Sequence, residues 1–298
     1  MVPHGMQYNR NPLTDKVSYD NLVELPDFNR IYTVAIEKAG IWKKLETLDS
    51  QGILNQPLKI LDMGGGIGTL GRLFESEFGP YLEYVNVDID SESLIKSPGK
   101  SVHGSYTNLH KLLGEEEFDY VFCLNLEDRT KLNQHTIENM RRDGQEDEFL
   151  GTDLVSMYIA ADYNCRQING YLVLLNAALV VTHGGMFIRG GVIPKDALNG
   201  TKDELAKLGF QSFEDEQLAL SMETGRIMLD YDLQFAGKTL SPSQLEKFAQ
   251  TYVQNFRLTT FGKKGRKNKE KTRNKITEAS NRLSELYLFI ETQERFWG

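Results

Sequence analysis

The chain has 298 residues, 40% of them hydrophobic and 26% charged, with a formal net charge of −8. It is long enough to bury a large core and has the composition of a globular protein; the acidic balance gives no whole-chain argument for nucleic acid. Two cysteines, Cys123 and Cys165, make neither a disulfide framework nor a zinc cluster, and the first ten residues lack the apolar run of a signal peptide, so a reducing, cytoplasmic setting is expected. No apolar run reaches bilayer length; the longest, 171–181, contains Asn176.

Residues 1–20 are polar, with Pro3 and Pro12, and read as an irregular arm. From Leu22 to Leu48 apolar residues recur at helical spacing, and Tyr19, Phe28 and Tyr32 are either pocket residues or ordinary core aromatics. The central cassette begins after Gln56-Pro57. In K-I-L-D-M-G-G-G-I-G-T-L-G-R (59–72) an apolar strand ends in Asp62 and turns through glycines into a helix whose inward face carries Leu70, Leu73, Phe74 and Phe78. Such a turn is a ligand cradle, because glycine accepts positive φ and the helix offers unpaired N–H groups.

Two fingerprints share this stretch. Gly66, Gly68 and Gly71 spell the G-x-G-x-x-G of nicotinamide dinucleotide proteins; from Asp62, the residues Gly64, Gly66 and Gly68 spell D-x-G-x-G-x-G, which resembles the first motif of class I methyltransferases dependent on S-adenosylmethionine (SAM). An acid at position 62 would repel a pyrophosphate and suits the cationic amino and sulfonium groups of SAM. A second strand, 82–87, runs into Asp88, about twenty residues beyond the turn, where a carboxylate can accept ribose hydroxyls. Ile89 follows it, and Asp90 and Ser91 suit a helix cap. Where the resembled family often has an acid after the third strand to hold the adenine amino group, this chain has Gly104-Ser105-Tyr106. Ser105 would then accept one hydrogen bond and Tyr106 lie against the purine.

The fourth strand, 118–124, resembles the family's F-D-x-V stretch and points Asn125 and Glu127 towards the site; Asn125 joins the cofactor-binding set. No N-P-P-Y or D-P-P-Y follows, which counts against nucleobase amino groups as acceptors. Residues 129–170 form an insertion ending in an expected helix from Asp153 to Ile168, suited to a lid or to mere surface elaboration. The apolar helix closing at Thr182-His183-Gly184-Gly185 and the strand Met186–Arg189 resemble the family's Gly-Gly turn before a strand. A helix over 201–208 is followed by an expected antiparallel hairpin from 217–222 and 226–235.

The resemblance implies an α/β fold: a Rossmann-like, doubly wound, mostly parallel sheet with a terminal antiparallel hairpin, plus N- and C-terminal helical additions. The expected division is an N-terminal arm and helical segment at 1–52, a SAM-binding methyltransferase domain at 53–238, and a C-terminal helical extension at 239–298. That extension contains a linker, Lys263 to Lys275, with eight Lys or Arg and one Glu. The function implied is methyl transfer from SAM to a small-molecule acceptor. General-base candidates, by location alone, are Glu127, Asp128 and His135; the five histidines show no ligand spacing, so no metal is expected. Three other readings stay open: an RNA methyltransferase anchored by the basic linker, an NAD(P)-dependent oxidoreductase, and a non-catalytic scaffold working through its terminal helices.

Overall fold

The computed structural model describes residues 26–124, 150–192, 195–226, 242–265 and 268–297. Seven strands form one sheet in the order β3-β2-β1-β4-β5-β7-β6. They are β1 (Leu58–Met63), β2 (Leu82–Asp88), β3 (Lys100–His103), β4 (Phe118–Leu124), β5 (Val181–Val192), β6 (Phe210–Gln217) and β7 (Phe256–Lys263). β1 to β5 pair in parallel, and β7 is antiparallel to both β5 and β6. The fold is Rossmann-like and doubly wound, as expected.

Helices cover both faces. α1 (Pro26–Ala39), α2 (Ile41–Ser50) and α3 (Thr69–Phe78) bury Phe28, Ile31, Tyr32, Leu45, Leu70 and Phe74 against Ile60, Tyr84, Phe122 and Ile188. Phe28 and Tyr32 are 2% and 4% exposed within that cluster, so they are core aromatics here. The expected N-terminal helix is divided at Gly40, whose φ of 63° suits glycine. α4 (Ser91–Ile95) and α5 (Leu109–Leu112) flank β3. On the other face, α6 (Leu150–Val180), α7 (Lys195–Lys207) and α9 (Lys269–Trp297) pack their apolar sides on Leu61, Val85, Val121 and Phe187.

Three expectations need correction. The helix expected to stop at Ile168 continues through Gly170 as one 31-residue helix, about 46 Å long at 1.5 Å per residue. Its inward face, Tyr158, Cys165 and Leu172, is continuous across the glycine. α6 runs antiparallel to α9, with the Tyr158 hydroxyl donating to Glu294 (2.8 Å) and the Asn169 amide to the Tyr287 oxygen (3.0 Å).

The terminal antiparallel pair exists but lies elsewhere. Residues 222–226 are helical rather than strand, and the second expected arm lies largely outside the described residues. The pair is β6 with β7, separated in sequence by α8 (Pro242–Asn255). β6 escapes a period-two reading because its register shifts between Phe210 and Ser212, which breaks the alternation. β7 is buried on both faces for most of its length, so it shows no alternation at all.

The sheet therefore runs past the expected domain end at 238, and the basic run is not a linker. Lys263 is the last residue of β7, 4% exposed, and its ammonium donates to the carbonyls of Ala178 (3.1 Å) near the end of α6 and of Val181 at the start of β5. Burial lowers its pKa to about 8. Lys269 pairs with Glu117 at 2.7 Å, and Arg273 with Glu115.

An aromatic cluster joins the last three strands: Phe261 of β7 stacks on Phe187 of β5 at 5.8 Å between ring centroids and packs on Phe210 and Phe213 of β6. Truncation after residue 240, which a removable extension would tolerate, is expected to abolish the cooperative urea transition seen by circular dichroism. A truncated chain that unfolds with the full-length midpoint would contradict this placement of β7.

Candidate functional site

The strand order leaves β1 in both directions: β2 and β3 lie on one side, β4 and β5 on the other. Such a switch point opens a crevice beyond the carboxyl ends of the strands, where open α/β sheets bind ligands. The glycine turn leaves β1 at that point. Gly64, Gly66 and Gly68 all adopt left-handed φ, at 73°, 53° and 74°, and Gly68 caps α3. An L side chain at any of the three would be strained.

The turn is tied to the neighbouring strand ends. The Gly64 amide donates to the Val87 carbonyl (2.7 Å), and the Gly66 amide to Asp88 Oδ2 (2.9 Å). Asp88 Oδ1 accepts from the Asp90 amide at 2.8 Å, and the Gly104 amide donates to the Asp88 carbonyl at 2.9 Å. A carboxylate has about four acceptor positions, and with the Gly66, Asp90 and Ile89 amides acting on it Asp88 keeps at least one for a ligand hydroxyl. Burial raises the Asp88 pKa, against the opposing effect of the Asp90 and Gly66 amides. Ile89 follows, half-buried, its carbonyl 3.0 Å from His103 Nε2. Asp90 caps α4 by accepting from the Glu92 amide.

Asp62 stands at the end of β1, 2% exposed, and accepts a 2.7 Å hydrogen bond from the Tyr84 hydroxyl. Burial, reinforced by the neighbouring Asp88 charge, raises its pKa to about 7 in spite of the Tyr84 bond. The acid thus lies beneath the turn, not on its surface. Beside it Asn86 is fully buried: its amide donates to the Gly66 carbonyl (2.8 Å) and to Ser97 Oγ (2.9 Å), which directs Oδ1 to the remaining side.

Three residues escaped the sequence reading. Gly65 has no left-handed φ, but a Cβ on it would stand 2.4 Å from Asp62 Oδ2 and 2.6 Å from Asn86 Oδ1. Tyr84 and Asn86 read as ordinary residues of a buried strand. The available signal was the polar Asn86 in an apolar run, in register with Asp62.

Ser105 and Tyr106 are placed less favourably for the adenine contacts expected of them. Ser105 Oγ is engaged as the cap of the next turn, 3.3 Å from the Thr107 amide and 2.8 Å from Thr107 Oγ1. The Tyr106 ring is buried in the core cluster with Leu109 and Leu113. Asn125, Glu127, Asp128, His135 and Tyr19 lie outside the described residues, so the site is described only from β1 to β3. Among the described residues no three His, Cys, Asp or Glu side chains gather to hold a metal, and no helix is long and apolar enough to cross a membrane.

No family model matches this chain, and no curated relative does. Among solved structures it is similar to the [4+2]-cyclase SpnF, at 11% identity and a TM-score of 0.48 over 86% of each chain. It is also similar to the N-methyltransferase NodS of Bradyrhizobium japonicum in complex with S-adenosylhomocysteine, at 10% identity and a TM-score of 0.45, over 82% of this chain and 91% of that one. A third is a sarcosine dimethylglycine methyltransferase from Galdieria sulphuraria, at 10% identity and a TM-score of 0.41, over 80% and 86%. At such distances the likeness carries no argument about activity, and the chemistries named are themselves different.

Two outcomes test the site's internal geometry. Gly65→Ala forces a methyl group onto two hydrogen-bonded side chains and is expected to lower stability by about 1–3 kcal/mol, an overpacking cost. Gly170→Ala, in a helix with open space around the position, is expected to raise it by about 0.5–1 kcal/mol. Equal urea midpoints for the two variants would contradict the crowding at Gly65.

The second concerns pH. An aspartate near 3.9 when unfolded and about 7 when folded lends stability below about pH 4 that is lost as pH rises through 7. Asp62→Asn should therefore stabilise the fold at pH 8, on the order of 4 kcal/mol, and have little effect at pH 4. Urea unfolding at both values measures this, and destabilisation at pH 8 would refute it.

Proposed function

We propose that this protein is a SAM-dependent methyltransferase acting on a small-molecule acceptor. The observation that carries the reading is the Asp88 carboxylate at the end of β2, anchored by the Gly66 amide, with acceptor capacity left for a ribose hydroxyl. Asp62 separates this reading from a dinucleotide. An acid buried under the turn gains nothing from a pyrophosphate, whereas the ammonium and sulfonium of SAM favour its ionised form. The antiparallel β7 between β5 and β6 points the same way, since the usual dinucleotide-binding sheet runs 3-2-1-4-5-6 in parallel.

In this reading Asp88 holds the ribose, Gly64, Gly66 and Gly68 let the methionine portion approach the main chain, and Ile89 borders the adenine. Asn125 borders the methyl group from beyond β4, with Glu127, Asp128 or His135 available as a base for an oxygen acceptor. Ser105 and Tyr106 would approach the adenine only from the rim. Bound SAM supplies an already electrophilic methyl group, so the chain's own task is to align the acceptor with it and exclude water. The acidic chain, the burial of Lys263 and the pairing of Lys269 and Arg273 with Glu117 and Glu115 favour a small acceptor over RNA. Moreover, Lys263 is in register with Phe210 at the start of β6, on the edge of the sheet opposite the glycine turn.

Binding of tritiated SAM and of NAD, measured side by side on the full chain, tests the assignment. SAM binding without NAD binding is expected, and Asp88→Asn should weaken it at least tenfold, as loss of a charged hydrogen-bond acceptor requires. NAD binding without SAM binding would overturn the proposal. Transfer of labelled methyl groups to small molecules of a cell extract is expected as well; its absence in SAM-binding protein would favour the scaffold reading.

A further inference from the structure

The acid under the glycine turn belongs to a cluster with a missing positive partner. Asp62, Tyr84, Asn86 and Asp88 share one face of adjacent strands β1 and β2, in register as Asp62 with Asn86. Asp62 Oδ2 and Asn86 Oδ1 both lie within 2.6 Å of the point where a Gly65 Cβ would stand, so two acceptors converge on the bare Cα of that glycine. Oδ1 of Asn86 is buried and has no hydrogen-bond partner among the described residues. The amide cannot simply be turned over, because its nitrogen is already held by Gly66 O and Ser97 Oγ. Asp62 Oδ2 has the Tyr84 hydroxyl as its donor and Asn86 Oδ1 has none, an unfavourable arrangement that either a proton on Asp62 or an external cation relieves.

Among the described residues, the groups around Asp62 offer no internal cation. From β2 it is faced by the Tyr84 hydroxyl and the Asp88 carboxylate, and these two are the titratable groups that act on it. From β4 the residue in register is Phe122, with Tyr120 on the same face. From the turn it meets the main chain of Gly65, and Arg72 of α3 is directed instead to the carbonyls of Ile67 (3.3 Å) and Lys96 (2.8 Å).

Resting on the SAM reading of the site, we propose that Tyr84 and Asn86 are positioning residues that hold Asp62 as a neutral acid in the free protein and that cofactor binding ionises it, with release of one proton to solvent. In the free state the carboxyl O–H serves the Asn86 acceptor. When a ligand bearing an ammonium or sulfonium settles over the turn, its charge favours the carboxylate, and the Tyr84 hydroxyl remains as the donor that stabilises it. Tyr84 thus sets the pH at which the anchor becomes available. Burial of the acid supports the same picture, since it holds the Asp62 proton to near neutrality.

The test is calorimetric titration of the full chain with S-adenosylhomocysteine from pH 5.5 to 8.5, in two buffers of different ionisation enthalpy. The dissociation constant is expected to weaken about tenfold per pH unit below 7 and to level off above it, with about one proton released on binding at pH 6 and almost none at pH 8.5. Tyr84→Phe, which removes the donor to the carboxylate, should move the inflection to higher pH. Asp62→Asn should abolish it, which assigns it to Asp62 rather than to Asp88. Wild-type binding of constant affinity without proton release overturns the proposal while leaving the SAM reading intact, and so does an inflection that survives in Asp62→Asn. No binding at any pH overturns the SAM reading and this proposal with it.

Discussion

The site depends on one hydrogen bond, from the Gly66 amide to the Asp88 carboxylate at 2.9 Å. It fastens the turn after β1 to the end of β2, and it needs three things at once: a glycine able to hold φ at 53°, an acid ending the second strand, and parallel pairing of the two strands in register. With that bond made, the turn keeps its left-handed glycines and α3 starts at a fixed point. A neutral residue at position 88 would leave the Gly66 amide with a weaker acceptor and the crevice without its anchor.

Beneath that bond the site is held at a cost to stability. Asp62 and Asp88 are two buried carboxyl groups, the Asp88 charge adds to the effect of burial on Asp62, and neither has a salt-bridge partner among the described residues. A buried acid without a cation is ordinarily selected against in a core, because an apolar or amide residue would be more stable there. Its presence beside a turn built for close approach is what a binding site for a cationic ligand needs. The rest of the sheet compensates through apolar packing on both faces, including the Phe187, Phe210, Phe213 and Phe261 cluster that closes its far edge.

How much was legible in the sequence followed physical regularity. β1, β2 and β4 are short apolar runs ending in acids or turns, and their limits are found within a residue or two; the glycine turn and Asp88 were identifiable because only particular residue types permit that backbone and that contact. β6 and β7 were not legible: a register shift hides the first and two-sided burial hides the second, so the strand pattern was assigned instead to the better alternation at 226–235. The continuous α6 was divided at Gly170 because glycine is a common helix stop, yet here it sits in open space and packing on α9 carries the helix through. Gly65, Tyr84 and Asn86 were invisible because their importance lies in contacts between strands, which no local pattern records.

The central claim, that the turn after β1 and the end of β2 bind SAM, is tested most directly by amide hydrogen exchange with and without S-adenosylhomocysteine. The account predicts slower exchange in peptides covering residues 62–70 and 86–91, where the Gly66 and Asp90 amides bond to Asp88, and no change in β6 or β7. Unchanged exchange in both segments at saturating ligand, or protection confined to the β6–β7 edge, would contradict it.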